Sequence, residues 1–357
     1  MPANNKNVRN IVNYFSGLTI EPTMTRFSHI LASLVFLGSF FTGWGQSQPD
    51  PHFSQFYANQ LYLNPALAGS NVCPRLNLSY RNQWPSLPNN FVSYSAAFDM
   101  YIDDIHGGVG IYFLGDNAGD LMNTYIVSAM YSYRLQIGNW TYLNFGVEGS
   151  FIQTSLKWDN LVFGDMIDPN LGVVNPTSEV PPNSTSISYP DFDAGISFSF
   201  KGNIYGGIAV HHLAEPDNGF YSSSDSKLFR KYTVHGGVFI DLTGRSIRDE
   251  NYGSFAISPN FLYMQQDNFH QLNVGLYINY KPFIAGAWFR HNFENADAIV
   301  PMIGIEWKWL KVAYSYDITL SNLASTTGGA HEVSLGWQLN CLDQKRRRIK
   351  AINCPRF

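Results

Sequence analysis

The chain has 357 residues and a formal net charge of -4, so it offers no basic excess of the kind nucleic-acid binding requires. Charged residues make up only 14% and aromatics 15%, against about 25% charged in ordinary globular chains. Charge that sparse is a poor match for a water-facing surface of this size and a good match for a lipid-facing one. Three cysteines, Cys73, Cys341 and Cys354, are too few for a disulfide scaffold. One bridge is compatible with an oxidising compartment, and the sequence does not select the pair.

Taken in chain order, residues 1–45 come first. An apolar run at 30–41 is preceded by Met24, Thr25 and Arg26 and followed by Thr42, Gly43, Trp44 and Gly45, the layout of a secretory signal peptide. Cleavage is expected near Gly45/Gln46. Translation is expected to begin at Met24, because a polar leader such as 2–7 is foreign to a signal peptide; the alternative is a long n-region. The lack of a cysteine at the junction argues against a lipoprotein. Beyond this run no stretch of ~18 consecutive apolar residues follows, so no transmembrane helix is expected. Residues 46–74 are too polar and proline-rich to form a barrel strand, and are expected to be periplasmic or to plug a lumen.

From residue 75 onward, alternation of period two recurs. Val92, Tyr94, Ala96, Phe98 and Met100 share one face, with Ser93, Ser95 and Asp99 on the other. Tyr125, Val127, Ala129, Tyr131 and Tyr133 oppose Thr124, Ser128, Ser132 and Arg134, and Leu143, Phe145, Val147 and Phe151 oppose Asn144, Glu148 and Ser150. Late in the chain Leu272, Val274, Leu276, Ile278 and Tyr280 face away from Gln271, Asn273 and Asn279; Val333, Leu335, Trp337 and Leu339 face away from Glu332, Ser334 and Gln338. Strands are predicted near 75–84, 91–100, 107–114, 123–134, 139–152, 190–200, 203–213, 230–241, 253–265, 270–280, 282–291, 299–307, 309–317 and 329–339. That is about fourteen segments of roughly ten residues, the even number a bacterial outer-membrane barrel requires. No amphipathic helix of comparable clarity interrupts them.

Connection lengths give an independent check, since such barrels alternate short periplasmic turns with longer outer loops. Residues 135–138, 201–202, 281 and 308 are tight, whereas 153–189, 214–229, 292–298 and 318–328 are long. Two connections break the parity: 242–252 is long on the periplasmic side and 266–269 is short on the outer side. The predicted fold is therefore all-β, an outer-membrane barrel over 75–339, located in the outer membrane and in contact with its lipid. Residues 340–357, with the basic run Lys345-Arg346-Arg347-Arg348, form a periplasmic tail. Both ends of the mature chain are expected on the periplasmic side.

Little in the chain points to chemistry. Nucleophilic catalysis needs a Ser or Cys beside a positioned His and carboxylate, and neither a Gly-x-Ser-x-Gly elbow nor a phosphate loop occurs; no enzyme activity and no cofactor are expected. His211 and His212 are adjacent, which on a strand sends them to opposite faces, poor geometry for a shared metal. Asp165, Asp168, Asp191 and Asp193 do not follow a calcium-loop spacing and read as solvated loop charge, so no metal is expected.

One stretch carries more. The run Asp50-Pro51-His52-Phe53-Ser54-Gln55-Phe56-Tyr57-Ala58-Asn59-Gln60-Leu61-Tyr62-Leu63-Asn64-Pro65-Ala66-Leu67-Ala68-Gly69 combines turn formers, Asn64-Pro65 and Ala68-Gly69, with apolar anchors at Phe53, Phe56, Tyr57, Leu61 and Leu63. It resembles the N-terminal signature of the PorP/SprF family of type IX secretion outer-membrane proteins of Bacteroidetes. Tyr80-Arg81-Asn82-Gln83-Trp84, His212-Leu213 with Pro216, Tyr314-Ser315-Tyr316-Asp317, His331-Glu332 and Cys354-Pro355 resemble further landmarks of that family in order. The plainer reading of Arg81, Gln83 and Trp84 is a Trp in an interface girdle beside an inward Arg that needs a partner carboxylate.

The resemblance implies a non-enzymatic component of the type IX machinery, docking secreted proteins that bear C-terminal signal domains, such as gliding adhesins, or linking periplasmic components to the outer membrane. Under it the partner-binding candidates are Asp50, Pro51, Phe53, Ser54, Gln55, Asn64, Pro65, Ala66, Gly69, Arg81, Gln83 and Trp84. Rival readings are an outer-membrane channel for a small solute, permitted by lumen-facing Ser93, Ser95, Ser128 and Ser132, and an adhesin acting through the 153–189 loop.

Overall fold

The computed structural model describes residues 50–71, 73–221, 226–243, 255–307, 309–320 and 327–339. The expected signal peptide, basic tail, Cys341 and Cys354 lie outside them. Cys73 is in a disulfide whose partner also lies outside the described residues.

Fourteen long strands form one sheet among the described residues: β1 Arg75–Gln83, β2 Phe91–Ile102, β3 Gly107–Ala118, β4 Met122–Ile137, β5 Thr141–Leu156, β6 Ser186–Phe200, β7 Ile204–His211, β8 Lys231–Val238, β9 Phe255–Gln266, β10 Phe269–Tyr280, β11 Phe283–His291, β12 Ala296–Trp307, β13 Leu310–Thr319 and β14 Ala330–Gln338. Each pairs antiparallel with its neighbours, and β1 closes on β14 in register from Arg75↔Gln338 to Gln83↔Ala330. All the segments expected from alternation are present. β3 runs past its expected end, because Asp116 and Asn117 stay in ladder with β4 across a tight turn. β8 breaks at Phe239 and resumes its pairing with β9 at Ile240–Asp241.

Burial runs opposite to that of a soluble protein. The apolar phase of each strand points outward, with Ile111 60% and Val147 58% exposed, while Asn77, Ser79, Ser95, Ser128, Ser132, Asn144 and Ser197 are buried. A wall with apolar residues outside and polar ones inside buries both sets only if lipid covers the outer face and the lumen is filled. The long connections 157–185 and 212–230, of the latter only 212–221 and 226–230 being described, lie at one end, the outward end in barrels of this kind. The turns at 103–106, 138–140, 201–203 and 281–282 mark the other. His106 and Lys201 adopt left-handed backbone in two of these turns.

A charge on the outer face at mid-height should therefore be costly. Ile111→Arg is expected to destabilise the barrel by about 2–4 kcal/mol in urea unfolding from lipid vesicles, whereas Ser128→Ala on the inner face should change little. An Ile111→Arg variant as stable as the parent would show that this face does not meet lipid.

Candidate functional site

The lumen contains the chain's own residues 50–71. Gln60–Leu63 form one helical turn, α1, and Asn64 then ends it in extended backbone. The Asn64 side chain accepts the Ala66 N–H and Pro65 opens a short 3-10 turn, Pro65–Leu67, a start that suits proline because its missing N–H has no role there. Gly69, at φ +63, lets the chain leave that turn. Around this scaffold Phe53, Tyr57, Leu61 and Leu67 are almost wholly buried. Tyr57 lies among Tyr205, Tyr277 and Trp288, and Phe56 meets the Trp288 ring edge-on at 5.0 Å. Aromatic pairs of this geometry add about 0.5–1.5 kcal/mol each beyond the area they bury.

The segment starts near the outward end. Ser54 Oγ donates to Asp317 Oδ2 at 2.7 Å, and the Ser54 and Gln55 N–H groups donate to the two Glu332 oxygens at 2.6 and 3.0 Å. Arg81 bridges the same two carboxylates, at 2.9 Å to Asp317 and 3.2 Å to Glu332, while Arg290 reaches Asp317 at 2.6 Å and Asp297 at 2.5 Å. Nearby, Asp50 accepts from Lys231 at 2.6 Å and pairs with His212 Nε2 at 2.8 Å. Burial pushes the Asp50 carboxyl up, but His212 and Lys231 outweigh it and hold the group well below the usual carboxylate range. Burial, reinforced by Arg81 and Arg290, lowers His52 and keeps it neutral.

Toward the short-turn end side chains of one partner meet the backbone of the other. Asn64 Nδ2 donates to the carbonyls of Ile196 and Ile208. The Ala66 carbonyl accepts from Ser132, Asn144 and Ser197. Gly69 N–H donates to Asp99 Oδ2 at 2.8 Å, the same carboxylate that Arg75 grips in bidentate fashion. The wall also admits the turn's close approach at four positions that carry no side chain. A Cβ on Gly108 would strike Ala68, one on Gly146 would strike Pro65 and Ala66, and one on Gly195 or Gly207 would strike the Asn64 amide.

The structure thus gathers residues far apart in sequence onto one segment. Arg81, Asp317 and Glu332 meet at Ser54 and Gln55, and His212 meets Asp50. Of the expected partner-binding residues, Phe53, Ser54, Gln55, Asn64, Pro65, Ala66, Gly69 and Arg81 are buried inside, while Asp50, Pro51, Gln83 and Trp84 are half-buried at the outward mouth. Trp84 packs edge-on against Phe91.

Two expectations need correction. Asp191 and Asp193 are not loop charges: they lie on β6, point inward and are buried, whereas Asp165 does lie in the loop and caps Ser178. His211 and His212 do not diverge, because His212 has φ 58 and this left-handed residue turns both rings inward onto Asp193 and Asp191. Asp99 and Arg134 were read from the sequence only as members of a polar phase, and Arg290 and the four wall glycines were not singled out. A charged residue in the inward phase of a strand was the available signal for the first three. A glycine inside a strand marks a close approach without naming what approaches.

A closed antiparallel sheet with lipid-facing apolar residues, a polar interior and its own chain within defines an outer-membrane β-barrel with an occupied lumen. Residues 45–337 match the model of the type IX secretion system membrane protein PorP/SprF, and the chain belongs to that family. Its membership places the protein among type IX secretion components of the outer membrane. No curated protein matches the chain. Similar solved structures include the Acinetobacter baumannii outer membrane protein Omp33 (8% identity, 76% of this chain and 100% of that one, TM-score 0.40), a Pseudomonas aeruginosa FadL homologue (10%, 77% and 92%, 0.38) and the P. putida toluene transporter TodX (8%, 78% and 93%, 0.42).

If the glycine cradle seats the turn, filling it should lift the turn while leaving the strands paired. In a Gly195→Ala background, a cysteine placed at Ala66 should react with a small thiol reagent about tenfold faster than in the parent, equivalent to ~1.4 kcal/mol. Equal rates would mean that the cradle does not hold the segment.

Proposed function

We propose that this protein is a non-enzymatic docking component of the type IX secretion system, a platform in the outer membrane and not the conduit itself. It would hold secreted proteins through their C-terminal signal domains, gliding adhesins among them, or link periplasmic components to the membrane. The observation that carries this reading is the seating of residues 50–69: the segment that resembles the family's signature fills the lumen of the barrel. Fourteen strands enclose more room than inward side chains alone occupy, and here that room holds an ordered peptide.

In this reading the buried members of the candidate set, Phe53 to Gln55, Asn64 to Ala66, Gly69 and Arg81, fix the segment's position. The mouth residues Asp50, Pro51, Gln83 and Trp84 are the ones offered to a partner. Binding at the mouth would then be coupled to the seating of the segment, because Asp50 belongs to both. The alternative, a small-solute channel, draws support from a cavity of about 340 Å³ at the mouth, lined by Trp84, Phe269 and Met264 among others. That cavity is floored by the segment at Phe56 and Leu63, so conduction would require the segment to move.

Replacing Asn64 and Pro65 together by Ala removes the cap, the preset turn and the amide bonds to Ile196 and Ile208 without altering a strand residue. Secretion of signal-domain cargo by cells carrying that variant is expected to fall at least severalfold, with normal amounts of folded barrel in the outer membrane. Normal secretion would remove the turn from the functional account.

A further inference from the structure

Near the outward end of the lumen, β6 and the end of β7 bring together side chains that the docking account leaves unused. Oxygens of Asp191 and Asp193 and a ring nitrogen of His212 lie within 4.8 Å of one another, and all three residues are buried. Their surroundings are already ordered. Asp193 is gripped by His211 Nδ1 at 2.7 Å and by the His212 N–H at 2.9 Å. His212 Nε2 faces Asp50 Oδ2 at 2.8 Å, while its Nδ1 faces Asp191.

Two observations set this cluster apart from an ordinary ion pair. Asp191 Oδ1 is buried with no hydrogen-bond partner, a deficit that ordinarily costs about 1–3 kcal/mol. The charges are also unbalanced: even with His212 protonated, three carboxylates, Asp50, Asp191 and Asp193, face only two cations, His212 and Lys231. A divalent cation entering as the His212 Nδ1 proton leaves would remove both deficits.

We propose that Asp191, Asp193 and His212 form a binding site for a divalent transition-metal cation of the zinc class. Two carboxylates and the His212 Nδ1 would serve as ligands, with a solvent molecule in the fourth position. One nitrogen and two oxygens suit zinc, which is content with four ligands. Calcium takes six to eight oxygens, more than these side chains supply. Asp50 would act from outside the ligand set: accepting the Nε2–H fixes the His212 tautomer that leaves Nδ1 free for the metal, the carboxylate–histidine arrangement common to zinc sites. The proton otherwise shared between Nδ1 and Asp191 leaves to solvent as the metal enters. Because Asp50 begins the luminal segment, an occupied site would also secure the segment's outward end.

The test is zinc titration by calorimetry of the untagged mature protein, in detergent, after stripping with EDTA, with calcium titrated in parallel. Asp191→Asn, His212→Asn and Asp50→Asn are compared with the parent, each checked for folding by heat-modifiable gel migration. Asparagine suits position 212 because it tolerates left-handed backbone. One equivalent of zinc per chain is expected, with no calcium heat at the same concentrations. Binding should weaken about 10–100-fold in Asp50→Asn and be lost in the two ligand variants. Should a variant not fold, Co²⁺ added to the parent alone decides: a visible absorption band of four-coordinate cobalt, bleached by zinc, is expected. No zinc uptake, zinc uptake unchanged in the folded ligand variants, a preference for calcium, or no cobalt band would each overturn the assignment.

Discussion

Asp317 and Glu332 stand in the barrel wall with almost no solvent contact, and a buried carboxylate needs opposite charge and hydrogen-bond donors around it. Arg81 and Arg290 supply the charge. The remaining donors are the N–H groups of Ser54 and Gln55 and the Ser54 hydroxyl, which belong to the luminal segment and not to the wall. The two carboxylates therefore have these donors only with the segment in place, Asp317 Oδ1 alone remaining without a partner. Withdrawing the segment would leave both arginines in place but remove three hydrogen bonds to charged oxygens, a class worth about 1.5–3 kcal/mol each. The outward end is held by charge and the inward end by hydrogen bonds and shape, the turn at 64–69 lying close against wall glycines.

This division of labour gives the fold its functional character. A barrel whose interior is lined with Ser and Asn can exchange those contacts for water, so the lumen is not sealed by apolar packing throughout. The aromatic cluster around Tyr57 and Trp288 covers one side, while on the other hydroxyls and amides meet the segment beside a second apolar cluster of Phe53, Leu61, Leu114 and Met130. Such an interior holds the segment by polar contacts as well as by apolar packing. That property fits a component that works with partners in a secretion machine.

Much of this was legible in the sequence, for identifiable reasons. Alternation has the same period whether the apolar face turns in or out, so the strands emerged from the pattern, and scarcity of charge indicated which way they turn. The turn at Asn64-Pro65 and the anchors Phe53, Phe56, Tyr57, Leu61 and Leu63 were readable from local chemistry. What could not be read is what local pattern does not encode. That Arg81 would find its carboxylates in Asp317 and Glu332 depends on closure of β1 on β14, a contact between the two ends of the barrel. The inward turn of both His211 and His212 depends on one residue with positive φ, which alternation has no means to anticipate. The glycine cradle is written in the strands, but its occupant lies 39 or more residues earlier, Gly108 against Gly69 being the nearest pair.

The central claim, that the chain's own N-terminal segment occupies the lumen, is tested most directly by planar-bilayer conductance of the purified barrel. The intact protein should show no sustained open level, while a variant lacking 50–69 that still migrates as a folded barrel should conduct in steady steps. An intact protein that conducts as freely as the deletion variant would contradict the account.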